Sequence, residues 1–373
     1  MSELSRGLEG VVVGSSAISK VYGDEGNLIY RGVSIHELAQ QSSYEEVVFL
    51  LWNGRLPRRP ELEEFSARLA AERQVPEAVL EWIRTAPEED SMATLRTAVS
   101  ALSAFDPDAE DTSLLAAERK AFRLVAGMAT LVAAIGRSRD GAVFVPPHPN
   151  LPHAANFLYM LSGQEPDRAA ARTFDQALVL HADHGFNAST FTARVTTSTL
   201  SDMHSAVVAA IGTLKGASHG GANTRVMQML LQIDGSSQTP EVWVREQVAA
   251  GQRIMGFGHR VYKVEDPRAT HLRQSSEALA KARGEDKWFV MSRRIEQYMG
   301  QDKGLFPNVD FYSASTYYML NIPVHLYTPI FALSRVSGWT AHVLEQMQDN
   351  RLIRPRSNYT GPTAIPYVPL AQR

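Results

Sequence analysis

The ten residues LKGASHGGAN, Leu214 to Asn223, decide how the rest of the chain reads. The run before them, SDMHSAVVAAIGTLKG, and the run after them, ANTRVMQMLLQI, both repeat apolar residues at three- and four-residue intervals. That is the period of a helix buried along one side. Gly216 stops the first helix, and His219 stands between a serine and two glycines before the second begins. Two readings fit the joint. In one, Gly220 and Gly221 bare the backbone to a ligand, and the next helix offers its unpaired N–H groups. A neutral imidazole there donates to a carbonyl oxygen gaining charge. In the other, Gly216 is a C-cap and the histidine merely occupies the loop.

Working outward, the chain reads as helix upon helix. SYEEVVFLLWNG opens with Ser43 as cap and two acids in its first turn, and closes on Gly54. ELEEFSARLAAERQ, PEAVLEWIRTA with Pro76 in its first turn, SMATLRTAVSALSAF, SLLAAERKAFRLVAGMATLVAAIG and AANFLYMLSG continue the pattern. DRAAARTFDQALVLHADHG and the two runs after it are uniformly apolar or small, as central helices are. PEVWVREQVAAG, HLRQSSEALAKARG and KWFVMSRRIEQYMG are charged on one side and belong nearer the surface. YTPIFALSRVSGWTAHVLEQM is a last long helix with a bend expected at Gly338, and the proline-rich tail RLIRPRSNYTGPTAIPYVPL is expected to wrap over something already folded. Strand material is confined to SAISKVYG and NLIYRG, a hairpin about Asp24-Glu25-Gly26-Asn27. The fold class is mainly α with a small N-terminal β-hairpin.

At 373 residues, two domains are expected. Apolar residues at 44 % suffice for substantial cores, while a net charge of -3 gives no sign of a nucleic-acid or membrane-surface partner. With 0 cysteines there is neither a disulfide, nor a thiol nucleophile, nor a thiolate metal site. MSELSRGLEG lacks the apolar core of a signal peptide, and no run of about 18 apolar residues stands out as a membrane span. A cytoplasmic protein is the expectation.

Other stretches carry chemistry. His259 lies in MGFGHRVYK, where Gly256 and Gly258 bare the backbone and Arg260 and Lys263 add positive charge. A dinucleotide GxGxxG fails because position 261 is valine, so the turn is either a receiver of a phosphorylated ligand or a basic surface loop. His181 and His184 in HADH share a helix face at i and i+3, yet no third ligand stands at metal-site spacing, and no metal is expected. Asp310 in FPNVDFYSAS reads by itself as an N-cap. His36, His204, His271 and His342 read as surface or packing residues. Arg268, Arg335 and Arg354 become a carboxylate cradle only if the fold brings them together.

Taken together, LIYRG, HADHGFNASTFTAR, LKGASHGGAN, IMGFGHRVYKVEDPR, PNVDFYSAS, TPIFALSRVSGW and DNRLIRPRSNYTGP resemble citrate synthase in its short bacterial and archaeal form, from RGLEG to YVPL. The resemblance implies a nearly all-α homodimer of the tricarboxylic acid cycle, with residues 1–219 and 321–373 in a large domain, 220–320 in a small one, and the site in the cleft between. It implies Asp310 as the base on the methyl group of acetyl-CoA, His219 as donor to the thioester oxygen, and His259 as the acid at the ketone oxygen of oxaloacetate. His184, Arg268 and Arg335 would bind oxaloacetate, with Arg354 reaching in from the neighbouring subunit. Gly256, Phe257, Gly258 and Lys263 fall where the family holds coenzyme A, and Lys303 is a further candidate. Relatives often have arginine at position 263, and lysine keeps the charge without the planar fork. No permanently bound cofactor is implied; acetyl-CoA is a co-substrate. The short N-terminus implies no NADH-sensing domain. Two other readings stay open: 2-methylcitrate synthase, using propionyl-CoA, and an inactive homologue that only binds.

Overall fold

The computed structural model describes residues 5–87 and 90–373. Its strands are β1 (Ser19–Tyr22), β2 (Asn27–Tyr30) and β3 (Val33–Ser34), in that order in one antiparallel sheet. Ser19 pairs with Tyr30 and Tyr22 with Asn27, as the hairpin reading requires. The third strand was not foreseen. It follows from Arg31 and Gly32, both at positive φ (49° and 87°), which turn the chain back in two residues. Arg31 is held in this unfavoured conformation by two hydrogen bonds to Leu51 O, at 3.0 and 2.8 Å.

Sixteen α-helices follow among the described residues. They are α1 (Ile35–Gln41), α2 (Tyr44–Asn53), α3 (Arg59–Ala71), α4 (Glu77–Thr85), α5 (Ser91–Leu102), α6 (Leu114–Arg139), α7 (His153–Ser162) and α8 (Arg168–His181). Then come α9 (Ala188–Ser198), α10 (Met203–Leu214), α11 (Ala222–Asp234), α12 (Pro240–Ala249), α13 (Pro267–Arg283), α14 (Lys287–Lys303), α15 (Val309–Met319) and α16 (Tyr327–Gln348). Their ends follow local chemistry. Ser43 Oγ accepts the N–H of Glu46 at 3.3 Å, and Gly54 leaves α2 at φ 76°. Pro76 is the cap residue of α4 rather than part of its first turn. The helix read from His271 begins at Pro267, because Asp266 accepts the N–H of Arg268 at 3.0 Å and the proline N1 position needs no N–H partner.

Two groups of helices pack around the site. α16 is buried along almost its whole length and lies against α2, α6, α8, α9 and α10. Helices α11 to α15 pack on one another, and meet the first group where α13 crosses α1 and α8 and where α11 touches α16. α6 corrects one expectation: it is long and apolar enough, by length and composition, to cross a membrane. Its apolar window is 83 % buried inside the protein, so it serves as a core helix.

Gly338 does not break α16, which runs continuously from Tyr327 to Gln348. It is a point of close approach: a Cβ there would sit 2.4 Å from Ala182 O and 2.5 Å from Asp183 Oδ1. The glycine thus lets the HADH segment lie directly on α16. The tail after Asn350 is extended and mostly exposed on its own chain, with Tyr359, Ile365, Tyr367 and Leu370 open to solvent. The expected wrapping over a folded surface is therefore not met within the chain; its anchor is the Ile353 N–H on Ser198 Oγ, at 3.0 Å.

Candidate active site

The HADH segment leaves α8 at His181 and is fixed from three sides. Tyr30 Oη on β2 donates to Asp183 O at 2.9 Å, Ser19 Oγ on β1 donates to Asp183 Oδ2, and the N–H of Gly185 reaches the same oxygen at 3.0 Å. His342 of α16 lies 3.3 Å from Asp183 Oδ1. Its Nδ1 accepts from Arg194 at 3.0 Å, so Nε2 carries the proton that faces the carboxylate. Burial acts to raise the Asp183 carboxyl, but His342, Arg335 and Ser19 outweigh it and hold it below its ordinary value. His184, the next residue, is thereby presented on a rigid base. Burial, then the charges of Arg268 and Arg335, keep its ring well below the usual histidine range, hence neutral.

The second half of the site is built on the glycine turn. Gly256 and Gly258 have φ of 83° and 77°. A Cβ on Gly256 would meet Phe311 and Val226 at 2.8 and 2.9 Å, whereas Gly258 faces open space. The turn is laced to the residues before α15: Gly258 N–H to Phe306 O at 3.0 Å, Asn308 N–H to Gly256 O at 2.8 Å, and Asn308 Nδ2 to Gly258 O at 2.9 Å. Phe257 pairs with Pro307, and its ring lies 4.6 Å from Phe311. His259 and Asp310 are therefore parts of one unit. Nδ1 of His259 accepts the backbone N–H groups of Val261 and Tyr262, both at 3.0 Å. These donors have fixed directions, so the neutral ring carries its proton on Nε2. Burial, with help from Arg268, lowers this imidazole to about 4.

Asp310 is not the N-cap. Asn308 is, its Oδ1 accepting the Asp310 N–H at 3.0 Å. The carboxylate that sequence reading assigned to capping is released for another task. Its Oδ1 is enclosed and has no hydrogen-bond partner among the described residues. Burial pushes this carboxyl up to about 7; Asp266 adds to the rise, while Arg268, Arg335 and Arg225 oppose it.

His219 sits in the turn between α10 and α11, with Ser189 of α9 beside its Nε2. The Ser189 N–H points at this nitrogen from 3.3 Å and Ser189 Oγ lies 2.9 Å away. The hydroxyl can rotate but the backbone N–H cannot, so Nε2 is an acceptor and Nδ1 bears the proton. Trp339 Nε1 of α16 donates to Ser189 Oγ at 3.1 Å and fixes the serine in turn. Burial, then the charge of Arg335, lowers His219 to about 4. Gly220 is required here, since a Cβ would stand 2.5 Å from Leu214 O. Arg225 on α11 bridges the two ends of the turn, donating to Ala217 O at 2.8 Å and Gly221 O at 3.1 Å.

Two buried cations lie between these parts. Arg268 is clamped by Asp266 through Nε–Oδ1 and Nη2–Oδ2 contacts of 2.9 and 2.8 Å. Burial works against its charge, but the paired carboxylate more than compensates, and Arg268 is held above its ordinary range. Asp266 also takes the Val309 N–H at 3.1 Å, joining the arginine to α15. Arg335 on α16 donates from Nε to His181 O at 2.6 Å, while its buried Nη2 lacks a partner among the described residues. Burial lowers it to about 10, and it keeps its charge at neutral pH. The charge of Arg335 acts on His184, His219 and Asp310 alike, and the rings of His184 and His259 stand 5.4 Å apart. Among the described residues, no group of three or more His, Asp or Glu side chains forms a metal cage.

The peripheral residues are less gathered. Lys263 is exposed, and its N–H is tied to Gly23 O at 3.0 Å in the β1–β2 turn. Lys303 is exposed in the last turn of α14. Arg354 is exposed on the extended tail, whereas Arg268 and Arg335 are buried. Sequence reading missed Ser189, Tyr262, Asp266 and Asn308. The last two carried a signal, Asp before Pro and Asn before Val-Asp, that capping rules recognise.

The family model for citrate synthase, C-terminal domain, matches residues 7–356. The chain belongs to the citrate synthase family. It is 55 % identical to the citrate synthase of Haloferax volcanii, covering 100 % of this chain and 99 % of that one. The solved ternary complex of carboxymethyl coenzyme A and oxaloacetate with the citrate synthase of Thermoplasma acidophilum superposes with a TM-score of 0.93 at 33 % identity, covering 100 % of each chain. A 2-methylcitrate synthase of Mycobacterium tuberculosis is 43 % identical over 96 % of this chain and 91 % of its own. The family fixes the reaction class: the chain is an acyl-transferring, condensing enzyme of the citrate synthase kind, on the mainly α fold that the sequence implied.

Proposed function

We propose that the enzyme condenses acetyl-CoA with oxaloacetate and hydrolyses the resulting citryl-CoA to citrate and CoA. The observation that carries this is a carboxyl whose enclosed Oδ1 has no partner among the described residues, raised to about 7, together with imidazoles kept neutral by burial. A methyl group next to a thioester is a weak acid, so its proton must leave while the oxygen is being stabilised. Asp310 takes that proton. Nδ1–H of His219 donates to the thioester oxygen as the enol or enolate forms. The methyl carbon then bonds to the ketone carbon of oxaloacetate, and Nε2–H of His259 serves the oxygen that becomes the tertiary hydroxyl. Water cleaves the thioester afterwards.

Oxaloacetate is held by His184, by Arg268 and by the buried Nη2 of Arg335, whose N–H groups are unmatched among the described residues and suit a carboxylate. Arg354 acts from the second subunit of a homodimer, in keeping with its exposed position on an extended tail. Residues 220–320 form the small domain and the remainder the large one. The bared backbone at Gly256–Gly258, with Lys263, receives coenzyme A, and Lys303 adds a more distant charge. No permanently bound cofactor is involved. A cytoplasmic location belongs to the same reading.

The 2-methylcitrate synthase relative keeps propionyl-CoA in view, since one methyl group is worth only about 1–3 kcal/mol of discrimination. Thiol release measured with oxaloacetate and each acyl-CoA separates the two. The expected result is a higher kcat/KM for acetyl-CoA. A preference for propionyl-CoA would move the assignment to 2-methylcitrate, and absence of thiol release by folded enzyme with either substrate would leave a binding homologue.

A further inference from the structure

Tyr262 has no place in the chemistry above, yet it is the residue that touches both oxaloacetate-side histidines. It is 3 % exposed. Its backbone N–H is one of the two that hold Nδ1 of His259. That short turn folds its ring back onto His259, with centroids 4.7 Å apart, and sets it 5.6 Å from the ring of His184. The phenol oxygen ends 3.3 Å from His184 Nε2, and this is its sole hydrogen-bond partner among the described residues. Reciprocally, the ring of His184 bonds to its own backbone and, among the other described residues, to Tyr262. A buried phenol hydroxyl is costly to leave unpaired, so the contact is strongly specified.

The contact also joins two different parts of the protein. His184 stands on the segment laid against α16 and β1–β2, whereas Tyr262 belongs to the unit of glycine turn, Asn308 and α15. That unit is docked on the hairpin too. A Cβ on Gly23 would lie 2.4 Å from Val261 O, and one on Gly26 would lie 2.8 Å from Val264. Were this docking to loosen, His184 would lose the Tyr262 hydroxyl and be left with the hydrogen bond to its own backbone.

We propose that Tyr262 is a positioning residue whose hydroxyl aligns His184 with His259, their ring centroids 5.4 Å apart, so that the two-oxo acid meets a preformed pair rather than one fixed ring and one held by its own backbone alone. The inference rests on the reading of His184 as an oxaloacetate-binding residue, and the experiment separates the two claims. Tyr262→Phe keeps the ring and removes only the oxygen. Oxaloacetate affinity, measured by calorimetry and as KM at saturating acetyl-CoA, is expected to weaken roughly tenfold, the scale of one lost buried hydrogen bond. In the same variant kcat falls by less than KM rises. Tyr262→Leu also removes the ring packed on His259, and kcat then falls further, although the backbone N–H groups remain. A general packing role would instead lower the melting temperature of both variants and leave the oxaloacetate affinity of folded Tyr262→Phe at its original value; that result overturns the proposal. His184→Ala serves as reference. If it weakens oxaloacetate binding while Tyr262→Phe does not, the positioning role alone fails. If neither variant changes the affinity, His184 is not a substrate ligand and both claims fall.

Discussion

Asp310→Asn is expected to lower kcat for condensation by about two to four orders of magnitude, the range associated with losing a positioned general base. The amide has the carboxylate's shape but cannot take the methyl proton. Oxaloacetate affinity should be little changed, because Arg268, Arg335 and His184 are untouched. Stability supplies an independent check. The fold raises this carboxyl from 3.8 to about 7, so protonated Asp310 is the form the folded state prefers. Its contribution to stability is fully present below the unfolded value and is lost as pH rises through about 7. Asparagine removes that loss. At pH above about 7 the variant should therefore melt no lower than the parent, and higher if the penalty is fully realised. An inactive but at least equally stable protein is the signature of a residue kept for chemistry at a cost to the fold. Near-normal turnover in the asparagine variant would refute the role of base.

The second large effect concerns His219. Removing the ring with His219→Ala should reduce kcat by about 100- to 1000-fold, as for the loss of one donor to a developing oxyanion. The direction of the ring makes a finer test possible. The Ser189 N–H fixes Nε2 as acceptor, so the useful proton is on Nδ1. An asparagine amide sits near the Nδ1 position and a glutamine amide near Nε2. His219→Asn should then retain more activity than His219→Gln, in steady-state kinetics on acetyl-CoA at saturating oxaloacetate. The opposite order would mean that Nε2 faces the substrate and that the contact with Ser189 is made the other way round.

Much of this arrangement could be read along the chain, because helices are written locally. The Ser43 cap, the Gly54 stop and the apolar spacing of ANTRVMQMLLQI depend on neighbours a few residues away, and the elements formed where expected. The turn at Arg31-Gly32 was missed because arginine at positive φ is unfavourable by itself. Its hydrogen bonds to Leu51 O, distant in the chain, help to hold it there, with its N–H on Ile18 O. Gly338 was misread for a similar reason: a glycine inside a helix looks like a hinge until the backbone packed upon it is known.

The site divides the same way. Glycines around His219 and His259 announced a bared backbone, and the resemblance supplied roles for them. Asp310 looked like a cap by its position, and two further facts were needed to read it otherwise. Asn308 takes the capping task, and the buried carboxyl oxygen has no partner among the described residues. Tyr262 and Ser189 carried no local signal. Their meaning comes from chain segments 78 and 30 residues away, brought against them by the fold.

The central claim is that the carboxyl of Asp310, with its pKa raised by burial, is the group that must be ionised for the methyl proton to leave. The most direct test is the pH dependence of kcat/KM for acetyl-CoA at saturating oxaloacetate. The expected profile has an acidic limb with an apparent pKa of about 7, below which the rate falls tenfold per pH unit. A profile that stays flat from about pH 5 to pH 8, in enzyme that remains folded throughout, would contradict it.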